Sequence, residues 1–420
     1  MSSRYFDDIE YKRRRRLLRE AMSQRGFDAC LVASPENIYY LSGLDHMGYF
    51  AYQLLVFPVK GQPVLITRAM ERATVRDQVP DVIHVGYADG VKTPPDSRAS
   101  PDTIEQTLEL IGGQATRDLR KRPQVSPSAA VDKTVETLHD MGVASGVLGL
   151  DMNSTFLPYA FAEGIIEGTS EAEWEDLGNL IDNVRLVQSE PELELTRKAA
   201  AISDSMMLSA IAAAGNGINE QEVMAAIYDA MFRRGGTYPG FVPLVRSSGE
   251  LEHEHGTWTS HTLEPSDLLF LEMAGCVRRY HAPMGRLVFI DDAPADASRA
   301  SDICQEALFA AADAIKPGVK AGDVYESWQQ VLDRQGLGHY GRHHCGYSVG
   351  IGYPPSWSGS GVPVGLRRHS DMVLRKGMVF HLMSWLLRCG AGDAFMSDTI
   401  VVTDKGSEFL TNVSRDVYIR

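Results

Sequence analysis

The sequence predicts an α+β protein of two domains, and three observations carry that expectation. Its 420 residues exceed what one hydrophobic core usually organises. Short apolar runs of strand length mix with amphipathic helical stretches along the whole chain. A break at Ser189-Glu190-Pro191-Glu192, with Pro beside acidic residues, marks the start of a long helix and of a second domain. The expected domains are residues 1–188 and 189–420.

In the first domain, Asp8 to Arg25 form an amphipathic helix with Ile9, Leu17, Leu18 and Met22 as its apolar stripe. Ala29–Ala33 is a buried strand and Ser34-Pro35-Glu36-Asn37 a turn cluster. Leu54–Pro58 and Pro63–Thr67 flank Gly61 as paired strands, and Val147–Asp151 is another strand. Pro94-Pro95-Asp96-Ser97 is a surface loop. In the second domain, helices run from Glu190 to Ala214, Glu220 to Arg234, Ser298 to Ile315 and Asp323 to Gln335. Strands fall at Leu268–Met273, Arg286–Ile290, Met378–Leu386 and Asp398–Val402. No Walker or Rossmann glycine pattern accompanies them.

Composition excludes several function classes. A net charge of −14 argues against a nucleic-acid partner, which would need basic groups on phosphates. The run Lys12-Arg13-Arg14-Arg15-Arg16 reads as the solvated face of the first helix. No apolar run reaches the length of a membrane span, and Met1-Ser2-Ser3-Arg4 opens no signal peptide, so a cytoplasmic protein without a membrane partner is expected. Cys30, Cys276, Cys304, Cys345 and Cys389 are scattered, and reduced thiols are expected rather than disulfides or a zinc site.

The second domain carries an ordered set of signposts: Asn183–Glu192, His255, Leu271-Glu272-Met273-Ala274-Gly275, Tyr280 followed by Arg286, Cys345–Gly350, Lys376–Phe380 and Asp398–Thr403. In this order they resemble the creatinase/prolidase/aminopeptidase P superfamily. The resemblance implies a creatinase-like N-terminal domain, a C-terminal pita-bread domain and a homodimer. Positions equivalent to the superfamily's metal ligands carry Glu272, Pro283, Tyr347, Met383 and Ser397. One carboxylate in such company cannot supply the hard ligands a divalent cation requires, so neither metal nor other cofactor is expected. The creatinase pocket histidine matches His255, whereas its other histidine falls at Tyr347 and its pocket glutamates at Gly285 and Met383. Together with Gly350–Trp357, the pattern is similar to the metal-free ectoine hydrolases, which open a cyclic amidine.

Such chemistry needs attack on an amidinium carbon and protonation of the departing nitrogen. The resemblance places Glu272 as nucleophile or general base and His255 as proton carrier, acting on a small zwitterion. Tyr347 is a candidate hydrogen-bonding partner of the substrate. His381, Met383 and Trp385 alternate along one strand, so they share a face, and His381 and Trp385 are expected to line the pocket. Trp258, Tyr353 and Trp357 are candidate aromatic walls for a delocalised cation. Tyr52, in the loop 45–52, is expected to reach a neighbouring subunit's pocket. Two alternatives stay open: hydrolysis of another small amidine or guanidine such as creatine, and a catalytically inactive binding domain.

Overall fold

The computed structural model describes residues 5–88, 128–359 and 364–420; Met1-Ser2-Ser3-Arg4 and Pro94-Pro95-Asp96-Ser97 lie outside the described residues. The chain divides into two compact units, Met1–Arg185 and Leu186–Arg420.

The first unit is built on a mixed sheet in the order β4-β3-β2-β1-β5-β6. Its strands are β1 (Ala29–Val32), β2 (Leu54–Pro58), β3 (Val64–Arg68), β4 (Ile83–Tyr87), β5 (Val147–Leu150) and β6 (Glu173–Asp176). β2 pairs antiparallel with both β1 and β3. The helix Asp8–Arg25 starts where the Asp7 side chain accepts from the Glu10 N–H and ends at Gly26 in the left-handed region. Three expectations need correction here. Ile9 is 76% exposed and not part of the buried stripe. Arg14 is fully buried, not solvated: it donates to Glu10 and to the Tyr40 carbonyl, with its guanidinium carbon 4.2 Å from the Phe6 ring centre. Paired and stacked, that charge is tolerated inside. Ser34–Asn37 is also no turn, because Pro35 begins a helix, Pro35–Ser42, with Ser34 at its N-cap position.

The second unit opens with the helix Glu190–Ala213. A capping box fixes its start: the Ser189 hydroxyl accepts from the Glu192 N–H while the Glu192 carboxylate accepts from the Ser189 N–H. The helix lies against β8 (Leu268–Val277), where a Cβ on Gly275 would come within 2.4 Å of the Ala199 carbonyl oxygen. β8 pairs antiparallel with β9 (Tyr280–Phe289), and both are longer than their apolar cores suggest. The remaining strands are β7 (Leu244–Arg246), β10 (Gly346–Ser348), β11 (Val379–Trp385), β12 (Phe395–Val402), β13 (Ser407–Phe409) and β14 (Tyr418–Ile419). The sheet runs β10-β11-β12-β9-β8-β7, with β13 on β12 and β14 on β9. Helices Ala297–Ala314 and Ala321–Arg334 pack with β11 and β12 in one apolar core. Arg286, committed to Asp398 at 3.0 Å and to the carbonyls of Ser397, Val413 and Ser414, ties β9 to β12 and the C-terminal segment.

All five cysteines are buried free thiols. Among the described residues no helix is long and apolar enough to cross a membrane.

Candidate active site

Cross-strand register aligns one transverse row of the sheet: Leu244 opposite Glu272, Glu272 opposite Gly285, Gly285 opposite Ser397, and Ser397 opposite Met383. Directly paired residues point to the same face, so β7, β8, β9, β12 and β11 present this row together. Two residues along, Ala274 opposes Pro283, while Thr399 and Tyr347 oppose His381. A strand's two-residue period brings these onto the same face. All five positions that resemble metal-ligand positions are thereby gathered on one side of the sheet. A Cβ at Gly285 would meet a ring carbon of Phe395 at 2.3 Å, so no side chain fits there beside that ring.

Above this face lies a cavity of about 310 Å³, whose lining includes Glu272, His255, Tyr347, Trp357, Met383 and Trp385. Glu272 is 7% exposed. Among the described residues no hydrogen bond holds its carboxylate; Oε1 lies 3.7 Å from His381 Nε2. Burial pushes its carboxyl up to about 7 from an ordinary 4.5, against the pull of Arg246 and Arg342. His381 is fully buried, and burial, then the nearby His344, push its ring down to about 3, so it is neutral. Its Nδ1 lies 3.0 Å from the Tyr347 hydroxyl and its Nε2 2.7 Å from Ser397 Oγ. The Trp357 indole N–H donates to the Tyr347 oxygen at 2.9 Å. Burial and the charge of Glu272 push the Tyr347 phenol far up, so it stays protonated. The cavity floor is a neutral, hydrogen-bonded layer beside one titratable carboxyl.

Four expected site residues do not line the cavity. Tyr52 is 8% exposed in its own domain's core, its ring stacked on Phe161 at 4.5 Å. Its hydroxyl is 2.9 Å from Thr134 Oγ1, and since that group donates to the Ala130 carbonyl, Tyr52 is the donor. A side chain so committed is not free to reach another subunit. Trp258 packs against the apolar cluster of Met206, Val223 and Leu269 rather than the cavity. Tyr353 is buried beneath Arg279, whose guanidinium carbon sits 4.7 Å from its ring centre. His381 lies under the lining, bonded to Tyr347, rather than at the cavity surface. Sequence reasoning in turn missed Arg342, His343, His344, Arg367 and Glu254, all of which line the cavity. A signal existed: Arg342-His343-His344 directly precedes the Cys345-Gly346-Tyr347 signpost.

The family fold implies metal ions, and the donor set tests that implication. Pro283 and Met383 offer no hard donor, Ser397 Oγ is engaged with His381, and the Tyr347 hydroxyl with Trp357 and His381. Among the described residues no group of three His, Cys, Asp or Glu side chains could hold an ion. These residues do not fit a hard divalent cation.

An antiparallel pita-bread sheet with its row of site positions on one face, preceded by a separate mixed-sheet domain, defines the two-domain creatinase/prolidase class of protein. The chain belongs to metallopeptidase family M24: that family's model matches residues 194–404, and the creatinase/prolidase N-terminal domain model matches residues 14–187. It is 25% identical to an ectoine hydrolase of Halomonas elongata over 99% of this chain and 98% of the relative. It is 29% identical to an uncharacterized hydrolase/peptidase of Sinorhizobium fredii over 99% of each. A crystal structure of dipeptidase PepE from Mycobacterium ulcerans superposes with a TM-score of 0.77 and 20% identity, covering 99% of both chains.

Proposed function

We propose that this protein is a metal-independent hydrolase that opens the ring of a small cyclic amidine, with ectoine (or hydroxyectoine) as the substrate. The observation that carries the reading is Glu272: a buried carboxyl without a hydrogen-bonding partner among the described residues, pushed up to about 7, on a floor of neutral groups. An amidinium bound against it would offset the cost of its burial and draw it into the ionised form. The full-length similarity to an ectoine hydrolase supports this choice of substrate.

In one route, ionised Glu272 takes a proton from water as the water oxygen bonds to the amidinium carbon. The ring C–N bond then breaks, and its electron pair takes a proton on the departing nitrogen. In the other route, the carboxylate itself bonds to that carbon, the ring C–N bond breaks with its electron pair taking a proton on the departing nitrogen, and water then adds to the same carbon and releases the Glu272 carboxylate. Either way one water is consumed and an N-acetylated diaminobutyrate leaves. His255 on the cavity wall can carry the proton to nitrogen. Tyr347, held by Trp357, presents a hydroxyl to the ligand.

One observation favours a second reading. With Trp258 and Tyr353 outside the cavity, its aromatic walls are Phe241, Tyr347, Trp357 and Trp385, and a smaller amidine or guanidine such as creatine would use the same carboxylate. Incubating the purified protein separately with ectoine, hydroxyectoine and creatine, with chromatography of the products, tests both. Ring-opened product from ectoine is expected; urea from creatine with ectoine untouched would replace the first reading with the second.

A further inference from the structure

The loop of residues 247–259 joins β7 to β8 and brings His255 to the cavity wall. Its neck is closed by the buried Glu220: one carboxylate oxygen accepts from the N–H and hydroxyl of Ser247, the other from the N–H and hydroxyl of Thr259. Three guanidiniums hold its tip. Arg388 pairs with Glu252 and Arg342 with Glu254, and both of these carboxylates are exposed to solvent. Arg246 comes from the interior. It is fully buried, and its Nη1 donates to the carbonyls of His253 and Glu254, the two residues that precede His255.

Arg246 also belongs to the sheet that carries the acid. It lies two residues from Leu244 on β7 and opposite Phe270, itself two residues from Glu272 on β8, so Arg246 and Glu272 share a face in adjoining rows. The adjoining row is a stack with a cation at each end. The Arg246 guanidinium carbon sits 4.1 Å from the centre of the Phe270 ring, Phe270 stacks on Phe395 at 4.6 Å, Phe395 meets Trp385 at 4.8 Å, and Arg342 lies 4.4 Å from Trp385. Burial pushes the Glu272 carboxyl up; among the charges acting on it, Arg246 pulls it back most, then Arg342, while Glu254 opposes them. Packing alone does not call for a cation here. Nε and Nη2 of Arg246 are buried without a hydrogen bond among the described residues, a cost that a methionine of similar length laid over Phe270 would not carry.

We propose that Arg246 is a positioning residue of the active site: it pins the main chain ahead of His255 and sets a fixed positive charge in the row beside Glu272, so that one side chain holds the proton carrier and the acid in a common frame. It is not part of the cavity lining and acts through the loop and through its charge. Its effect on turnover rests on the roles proposed above for Glu272 and His255, whereas the loop and the charge coupling are measured without turnover.

Arg246→Met removes the donor and the charge; Arg246→Lys keeps the charge and a single donor, and guards against a folding defect in the methionine variant. Hydrogen exchange of a peptide spanning 251–257 reads the loop, because the amides of His253 and Gly256 donate to the Glu250 and His253 carbonyls. Exchange there should quicken at least about tenfold in Arg246→Met, the equivalent of one hydrogen bond to a charged group, with an intermediate rate in Arg246→Lys. A double-mutant cycle reads the charge: at pH 8, Arg246→Met should lower the urea midpoint more in the wild-type background than in the Glu272→Gln background, and Arg246→Lys should show little of this difference. For ectoine, kcat should fall about tenfold or more in Arg246→Met with KM nearly unchanged, because the arginine aligns the proton carrier without contacting substrate. Wild-type exchange of the loop in both variants, an equal loss of midpoint in the two backgrounds, or undiminished kcat in Arg246→Met would each overturn the assignment. Faster exchange and a coupled midpoint, in a protein whose wild type leaves ectoine untouched, would keep Arg246 as the anchor of loop and charge and discard the catalytic reading.

Discussion

Replacing Glu272 by Gln tests site and fold with one substitution. The amide keeps the shape and removes the titrating group. In the folded protein the carboxyl titrates near 7, against 4.5 when unfolded, because burial disfavours its charged form. The native state therefore binds more protons than the unfolded state between these values, and stability falls as pH rises from about 4.5 to about 7. At about 1.4 kcal/mol per pKa unit, the full cost above pH 7 is about 3 kcal/mol. Below pH 4.5 it vanishes, because both states are protonated. Glu272→Gln should therefore raise the urea unfolding midpoint of the C-terminal unit at pH 8, with the gain shrinking to less than about 1 kcal/mol at pH 5. The same titration governs activity: wild-type kcat/KM should fall tenfold per pH unit below an acid limb near 7. The variant should show no ring opening at any pH. A variant that turns over ectoine at near wild-type rate, or one whose midpoint at pH 8 matches wild type, would refute the assignment of an ionisable, functional carboxyl at this position.

Four further outcomes are expected, three from the structure and the last from the family resemblance. Tyr52→Ala should lower the stability of the N-terminal unit by about 3 kcal/mol, as removal of a buried aromatic ring does, and leave KM unchanged; a rise in KM without loss of stability would return Tyr52 to a binding site. Gly285→Ala forces its methyl against Phe395, so a destabilisation of about 1–3 kcal/mol is expected from overpacking, read by thermal unfolding; an unchanged midpoint would show that the ring moves freely. Exhaustive dialysis against a strong chelator should leave turnover intact, and activity restored only by added iron, manganese, cobalt or zinc would sink the metal-independent mechanism. Light scattering should give twice the 46.2 kDa chain mass if the homodimer implied by the family resemblance forms; a fully active monomer would dispose of it.

Much of the fold was legible because local signals agreed with one another. Leu54–Pro58 is a strand as its apolar run says, and Glu190–Ala213 begins where Ser189, Pro191 and Glu192 together specify a cap. Pairing over long sequence distances was not legible. β7 and β10 have three residues each, too few for a period, and exist through their partners β8 and β11. The misplacement of Tyr52 has a different cause. Tyr52, Leu54 and Val56 follow the two-residue period of a strand and share one apolar cluster, a pattern that pointed inward while the family analogy pointed outward. Arg342, His343 and His344 escaped notice because a basic residue in a loop is ordinarily solvated. Nothing local reveals that this loop borders a cavity.

The row Leu244–Glu272–Gly285–Ser397–Met383 also explains how the sheet remains coherent with Pro, Tyr, Met and Ser at positions that resemble metal-ligand positions. Deleting ligands piecemeal would orphan buried polar groups, each costing about 1–3 kcal/mol. Here the replacements satisfy one another: Ser397 Oγ meets His381 Nε2, Tyr347 meets His381 Nδ1 and receives the Trp357 N–H, and the absence of a side chain at Gly285 admits Phe395. Phe395 stacks on Phe270 at 4.6 Å, the neighbour of Leu271 and Glu272 on β8, so the apolar packing beside the cavity fixes the strand that carries the acid. With Tyr347, His381 and Ser397 paired to one another and Tyr347 to Trp357, Glu272 faces the cavity without a hydrogen bond among the described residues. A merely structural replacement would gain stability as glutamine, whereas keeping the acid costs about 3 kcal/mol at neutral pH. A cation bound against the carboxylate would offset that cost, as the proposed reading requires.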